Sequence, residues 1–137
     1  MSIRNIFDVS GRAMSAQMIR LNTTASNLAN ANTIAGSKEE AFRPLRPVFA
    51  TEYASKIQDN GIATVNVEQI VSLDRDPNQL YAPDHAKADK DGYVYQPNIN
   101  PEEEMVEMME ASRQYQNNLQ VVNTLRTLMA RTMQMGK

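Results

Sequence analysis

Cysteine and tryptophan are absent from these 137 residues, and histidine occurs once. Without cysteine the chain has no disulfides, no thiolate metal sites and no cysteine nucleophile, and it suits a reducing or an oxidising compartment equally. Its five glycines form no phosphate-binding loop. The net charge of −2 comes with no lysine-rich run that could track a phosphate backbone, so nothing calls for nucleic acid. No window is apolar enough to cross a membrane, and no direct membrane insertion is expected. The opening Met1-Ser2-Ile3-Arg4-Asn5-Ile6-Phe7-Asp8 lacks the apolar core and cleavage site of a signal peptide. If the chain leaves the cytoplasm, the expected route removes nothing.

Catalytic chemistry is equally poorly supplied. His85 lies near Asp84, Asp89 and Asp91. A calcium loop with Asp89, Asp91 and Gly92 at its third, fifth and sixth positions would put Lys87 first and Asn98 twelfth, where carboxylates belong. No serine sits in a nucleophile elbow, and no second histidine serves as a base. We therefore expect no catalytic residues, no metal site and no cofactor. The chain reads as a protein that is not an enzyme.

What the sequence does have is two long heptad patterns. No proline or glycine interrupts the chain between Pro101 and Gly136, so a helix can run from Pro101 to about Met135. Asn100 suits the N-cap, Pro101 the first helical position, and Glu103 can complete a capping box. Acids crowd the start (Glu102, Glu103, Glu104, Glu107, Glu110), and Arg113, Arg126, Arg131 and Lys137 follow with no acid among them, as the helix dipole favours. Met105, Met108, Ser112, Tyr115, Leu119, Val122, Arg126, Met129 and Met133 recur at alternating steps of three and four, a seam with polar interruptions. Val121, Leu125 and Leu128 form a second track beside it. Two adjacent seams call for more than one neighbour.

At the other end, Phe7, Gly11, Met14, Met18, Leu21, Ala25, Leu28 and Asn32 follow the same alternation, which predicts a helix from about Ile3 to Ala31. Gly11, Thr23, Thr24 and the asparagines Asn22, Asn27, Asn30 and Asn32 lower its propensity, so it should depend on packing and fray in a free monomer. The two end helices are natural mates. Gly11 and Ala25 would allow close backbone approach.

Between the helices the composition changes. Thr33 to Lys38 reads as a loop, and prolines at 44 and 47 make Phe42 to Phe49 extended. Asp59-Asn60-Gly61 predicts a turn. Val65, Val67, Val71 and Leu73 alternate with Asn66, Glu68, Ile70 and Ser72 as a half-buried strand blemished by Gln69 and ended by Asp76-Pro77-Asn78. Asp91-Gly92 predicts a second turn before the short strand Tyr93-Val94-Tyr95. The expected fold is mainly α with a small β-rich insertion. Residues 1–33 and 100–137 would supply long helices paired as an antiparallel coiled coil, and 34–99 the short strands.

These residues also carry a resemblance. Ser26-Asn27-Leu28-Ala29-Asn30-Ala31-Asn32-Thr33 is similar to the N-terminal signature of the flagellar rod, hook and hook-associated axial proteins. Phe7-Asp8-Val9-Ser10-Gly11, Gly36 to Arg43, Ala88 to Val94, Pro97-Asn98-Ile99-Asn100, Glu104-Met105-Val106 and Tyr115-Gln116-Asn117 extend the likeness to the proximal rod proteins of the basal body, over essentially the whole chain. Ala86 departs from it, where proline is expected after His85.

The resemblance implies a structural subunit that polymerises through its terminal helices into a drive shaft enclosing the export channel and carrying torque to the hook. It implies a location in the basal-body rod across the periplasm, and export unfolded through the flagellar type III apparatus. Partners would be the chain itself, other rod proteins, the protein joining the rod to the MS ring, and the export apparatus. Subunit contacts would fall on Phe7, Met14, Met18, Leu21, Asn27, Leu28, Asn30 and Asn32 of the first helix. In the second they would fall on Met105, Met108, Tyr115, Leu119, Val122, Leu125, Leu128 and Met129. Leu28 would pack, while the asparagine amides would bridge subunits or cap the helix end. A competing reading is a soluble helical adaptor or secretion chaperone whose seam binds a client helix; the β insertion and the paired end signatures argue against it.

Overall fold

The computed structural model describes residues 3–53 and 63–136, so the turn expected at Asp59-Asn60-Gly61 lies outside the described residues. In chain order the elements are α1 (Ile3–Asn30), β1 (Leu45–Tyr53), β2 (Ala63–Ser72), β3 (Asn78–Tyr81), β4 (Tyr93–Gln96) and α2 (Pro101–Met135). The fold is mainly helical with a small β insertion. With 28 and 35 residues, the helices are about 42 and 52 Å long at about 1.5 Å per residue.

Local chemistry sets the start of α2. Asn100 is extended, at φ −92° and ψ 109°, and its side chain accepts from the Glu102 N–H at 3.0 Å, with Pro101 opening the first turn. At the end of α1 the helix tightens: the Ala31 N–H donates to Leu28 O, and Thr33 bonds Asn30 O through both its N–H and its hydroxyl.

The strands form two separate antiparallel hairpins, β1 with β2 and β3 with β4. Pro47 is tolerated within β1 because a two-stranded ribbon has a free edge on every strand. Val48 pairs with Gln69 but Phe49 pairs with Val67, so Glu68 is a bulged residue without a partner. An extra residue reverses which side chains face inward. The alternation expected from Val65 to Leu73 therefore breaks: Val71 and Leu73 are half-buried, but on the far side of the bulge Thr64 is buried and Val65 is 42% exposed. β3 departs from the expectation, which ended the extended segment at Asn78. Asn78-Gln79-Leu80-Tyr81 has no alternation of its own and becomes a strand by pairing with Gln96 to Tyr93.

Asp89 organises the connection between β3 and β4. Its carboxylate accepts from the N–H groups of Asp91 and Tyr93 at 2.9 and 2.8 Å and from the Tyr95 hydroxyl at 3.1 Å. Gly92 sits at φ +82°, where a side chain is strained and a Cβ would meet Tyr81 at 3.0 Å. The hairpin is fastened below the end of α1: Ala35 and Tyr95 exchange two backbone hydrogen bonds, and Gln96 Nε2 donates to Ala31 O and to Asn32 Oδ1.

The helices pair antiparallel, with α1 also flanked by the β1–β2 hairpin. The buried apolar residues among those described are Ala16, Ala31, Ala41, Ala111, Val94, Pro44 and Pro97. No leucine, isoleucine, methionine or phenylalanine is among them. Burial of a large apolar side chain contributes about 1.5–3 kcal/mol, and this chain leaves most of that gain unclaimed within itself.

Candidate subunit interface

Where α1, α2 and β1 meet, the interior is polar. Asn27 is fully buried; its Oδ1 accepts from the Leu45 N–H at 2.7 Å, and its Nδ2 donates to Leu45 O at 2.9 Å and to Glu104 Oε2 at 3.1 Å. Glu104, 3% exposed, receives both guanidinium arms of Arg46, one of them at 2.9 Å. Hydrogen bonds to Glu104 hold the Arg46 guanidinium above its ordinary range against the opposing effect of burial, and the charges of Glu104, Glu107 and Glu103 act in the same direction as those bonds. One turn along, Arg20 Nε donates to Glu107 Oε2 at 3.0 Å, while Thr23 and Thr24 return their hydroxyls to Arg20 O at 2.9 and 2.7 Å. Every polar group named here has a partner, which is the condition for burying it at tolerable cost.

This junction sets the rotation of both helices. On α1 the enclosed arc follows Ser10, Ala13, Gln17, Arg20, Thr24, Asn27 and Ala31, each one residue before a member of the expected seam. One residue is a turn of about 100°. On α2 the enclosed line is Glu104, Met108, Ala111, Tyr115, Asn118, Val122 and Leu125. It keeps Met108, Tyr115 and Val122 of the expected seam and replaces Met105, Ser112, Leu119 and Arg126 by the residue before each. The heptad alternation of α1 therefore does not mark the face it turns to α2: the enclosed arc of α1 is small and polar, whereas that of α2 mixes Glu104, Ala111 and Asn118 with Met108, Tyr115, Val122 and Leu125.

The residues expected at subunit contacts consequently divide. Phe7, Met14, Leu21 and Leu28 are half-buried along the outer flank of α1, and Met18 is 42% exposed. Met105, Leu119, Leu128 and Met129 are exposed on α2, whereas Met108, Tyr115, Val122 and Leu125 are half-buried on its enclosed line. Asn27 is spent within its own chain. Asn30 Nδ2 donates back to Ser26 O at 2.8 Å, and the exposed Asn32 accepts from Gln96. Arg46, Glu104 and Arg20 were missed. The available signal was Ala111, a small residue in line with Glu104 and Met108 before it and with Tyr115 after it.

The outer surface is correspondingly apolar. Val106, Met109, Leu128, Met133 and Met135 of α2 are 52–83% exposed. Every side chain from Arg126 to Gly136 is exposed. Arg20 lies across from Glu107, so in an antiparallel pair Ile3 lies across from about Thr124, and the rest of α2 extends past the described start of α1 by about 15 Å.

Two long antiparallel helices tied by a buried polar junction, with several large apolar side chains left exposed on α2, define a mainly helical structural protein. Residues 7–34 match the family model described as flagella basal body rod protein, and residues 90–135 match the flagellar basal body rod FlgEFG protein C-terminal model. The flagellar basal-body rod protein FlgC of Yersinia enterocolitica is 42% identical over 137 residues, and that of Salmonella typhimurium 38% over 137 residues, with all of either chain covered in each case. FlgC of Aquifex aeolicus is 39% identical over 139 residues, covering all of this chain and 99% of its own. The chain belongs to the flagellar basal-body rod protein family, a family of structural proteins and not of enzymes.

Proposed function

We propose that this subunit polymerises through the outward faces of α1 and α2 into the proximal part of the rod, as a segment of the drive shaft that carries torque across the periplasm and encloses the export channel. The observation that carries this reading is the inverted use of apolar residues: small side chains are buried, while Met18, Val106, Met109, Leu128 and Met133 remain 42–71% exposed. A monomer gains nothing from that distribution, and a patch of this kind marks an interaction surface. Phe7, Met14, Met18, Leu21 and Leu28 would meet neighbouring subunits on one side, and Met105, Leu119, Leu128 and Met129 on the other. Partners are further copies, other rod proteins and the protein joining the rod to the MS ring. Delivery is through the flagellar type III apparatus, unfolded and uncleaved; a chain held together by few large buried side chains is cheap to thread.

The test is hydrogen exchange on dilute monomer and again after assembly with other rod proteins. Fast exchange along α1 and α2 that becomes protected on assembly supports the reading. Full protection in the dilute monomer, unchanged by rod partners, would instead favour a self-contained helical adaptor.

A further inference from the structure

The two ends of α2 differ in a way that makes each a fit for the other. At the opening, Glu102, Val106 and Met109 share one face at steps of four and three; both apolar members are exposed, at 66% and 65%, and Glu103 lies beside them. At the far end, Arg126, Met129 and Met133 share one face at steps of three and four, with Leu128 and Arg131 on the adjoining one. Among the described residues neither Arg126 nor Arg131 has an ion-pair partner, and neither Glu102 nor Glu103 is in a salt bridge. The two surfaces have matched spacing, matched apolar content and opposite charge.

They cannot meet within one chain, because they lie at opposite ends of a straight helix about 50 Å long. We propose that the basic, apolar end of α2 seats against the acidic, apolar opening turns of α2 on a second copy of the chain. This rests on the polymerisation reading and names one of its contacts. The geometry is heterologous: each copy offers one end and receives the other, so the contact does not close on itself and can propagate, as a shaft requires. Charge complementarity sets the polarity. Two acidic openings repel, as do two basic ends, so only opening-to-end contacts are favourable.

Because the chain has no cysteine, introduced thiols report alone. Full-length Val106→Cys and Leu128→Cys chains, carrying different mass tags, are mixed and oxidised, and the association of charge variants is followed by sedimentation. The proposal expects the mixed disulfide in excess of either homodimer. It expects association to weaken about tenfold or more in Arg126→Glu/Arg131→Glu and in Glu102→Arg/Glu103→Arg, and to recover when the two variants are combined in trans. Circular dichroism of each variant checks that the helices persist. Association that ignores both charge reversals, with cross-links no more frequent in the mixture than in the homodimers, overturns this contact and leaves the polymerisation reading standing. Failure of the unmodified chain to associate with itself at any concentration also overturns the contact. If the chain then also fails to join other rod proteins, the wider reading falls with it.

Discussion

Asn27 treats Leu45 as a neighbouring strand would: its side-chain amide accepts the Leu45 N–H at 2.7 Å and donates to the Leu45 carbonyl at 2.9 Å. A single helical side chain thus closes the first hydrogen-bonding position of β1, and its second amide hydrogen reaches Glu104 on α2. Three segments far apart in the chain are tied at one fully buried residue. Asn27→Ala leaves the Leu45 N–H without its partner, while Leu45 O keeps the Arg46 Nη1 donor at 3.3 Å, and since an unpaired buried group costs about 1–3 kcal/mol, a loss of about that size is expected in urea unfolding. Asn27→Asp should be nearly as damaging, because a carboxylate cannot donate to Leu45 O and stands beside Glu104. A change below about 0.5 kcal/mol in either variant would show that the tie is not made.

The Arg46–Glu104 pair is the charged half of the same junction. Glu104 is 3% exposed, while the Arg46 side chain keeps 29% of its surface, so the arginine can rehydrate if its partner is lost but the carboxylate cannot. Breaking a fully buried pair costs about 3–5 kcal/mol; with water at one partner, Arg46→Met should cost about 2–3 kcal/mol and Glu104→Gln less. A double-mutant cycle is expected to give a coupling of about 1–2 kcal/mol. Additive single-variant effects would mean the two side chains act independently.

Gly92 tests the tight turn. At φ +82° a Cβ is strained, and it would meet Tyr81 at 3.0 Å and Pro83 at 3.2 Å. Tyr81 packs edge to face on Tyr93 with ring centroids 5.3 Å apart but is largely exposed and can yield, so the cost falls on the positive φ and on the Pro83 contact. Gly92→Ala should cost about 1–3 kcal/mol, read as faster amide exchange at Tyr93 to Gln96, with α1 and α2 little changed.

The Asp89 hub makes the same hairpin sensitive to pH. Hydrogen bonds from the Tyr93 N–H above all, and also from the Tyr95 hydroxyl and other backbone amides, hold the Asp89 carboxyl below its ordinary range. Donation to Asp89 holds the Tyr95 hydroxyl above its own. A depressed carboxylate contributes stability that is present above its unfolded value, about 3.9, and is lost as pH falls through the folded one. A raised phenol contributes stability that is present below about 10 and is lost as pH climbs through its folded value. The hairpin should therefore be tightest between about pH 4 and 10, with the Asp91 and Tyr93 amide resonances moving together below that window. Asp89→Asn should remove the acid limb; an unchanged acid limb would place its origin elsewhere.

The helix bounds were legible because their causes are local. Asn100 and Pro101 start α2 wherever the rest of the chain lies, and the absence of proline and glycine keeps it going. The rotation of the helices was not legible, because it is set by contacts 18, 58 and 77 residues apart in sequence, from Asn27 to Leu45, from Arg46 to Glu104 and from Asn27 to Glu104. A pattern search assigns the most apolar stripe to the nearest partner. Here α1 turns a small, polar arc toward its partner, while α2 turns a line that is only partly its apolar seam. The β-bulge at Glu68 was hidden for a related reason: Val48 and Phe49 on the other strand decide where the extra residue falls.

That separation of inner and outer stripes gives the sharpest prediction about assembly. Met18 belongs to the outer stripe of α1 and is 42% exposed, so Met18→Asp should lower monomer stability by only about 1 kcal/mol. If the outer stripe meets neighbouring subunits, the same substitution buries an unpaired carboxylate in every contact it enters, and motility should be lost while the protein is made normally. Leu28→Asp, on the same stripe but half-buried, should abolish motility at a modest cost to the monomer. Val122→Asp acts differently, because Val122 lies on the enclosed line of α2: it should lower monomer stability by about 2 kcal/mol or more and lose motility through the fold. Motility retained in both α1 variants would sink the outer-stripe assignment, whatever Val122→Asp does.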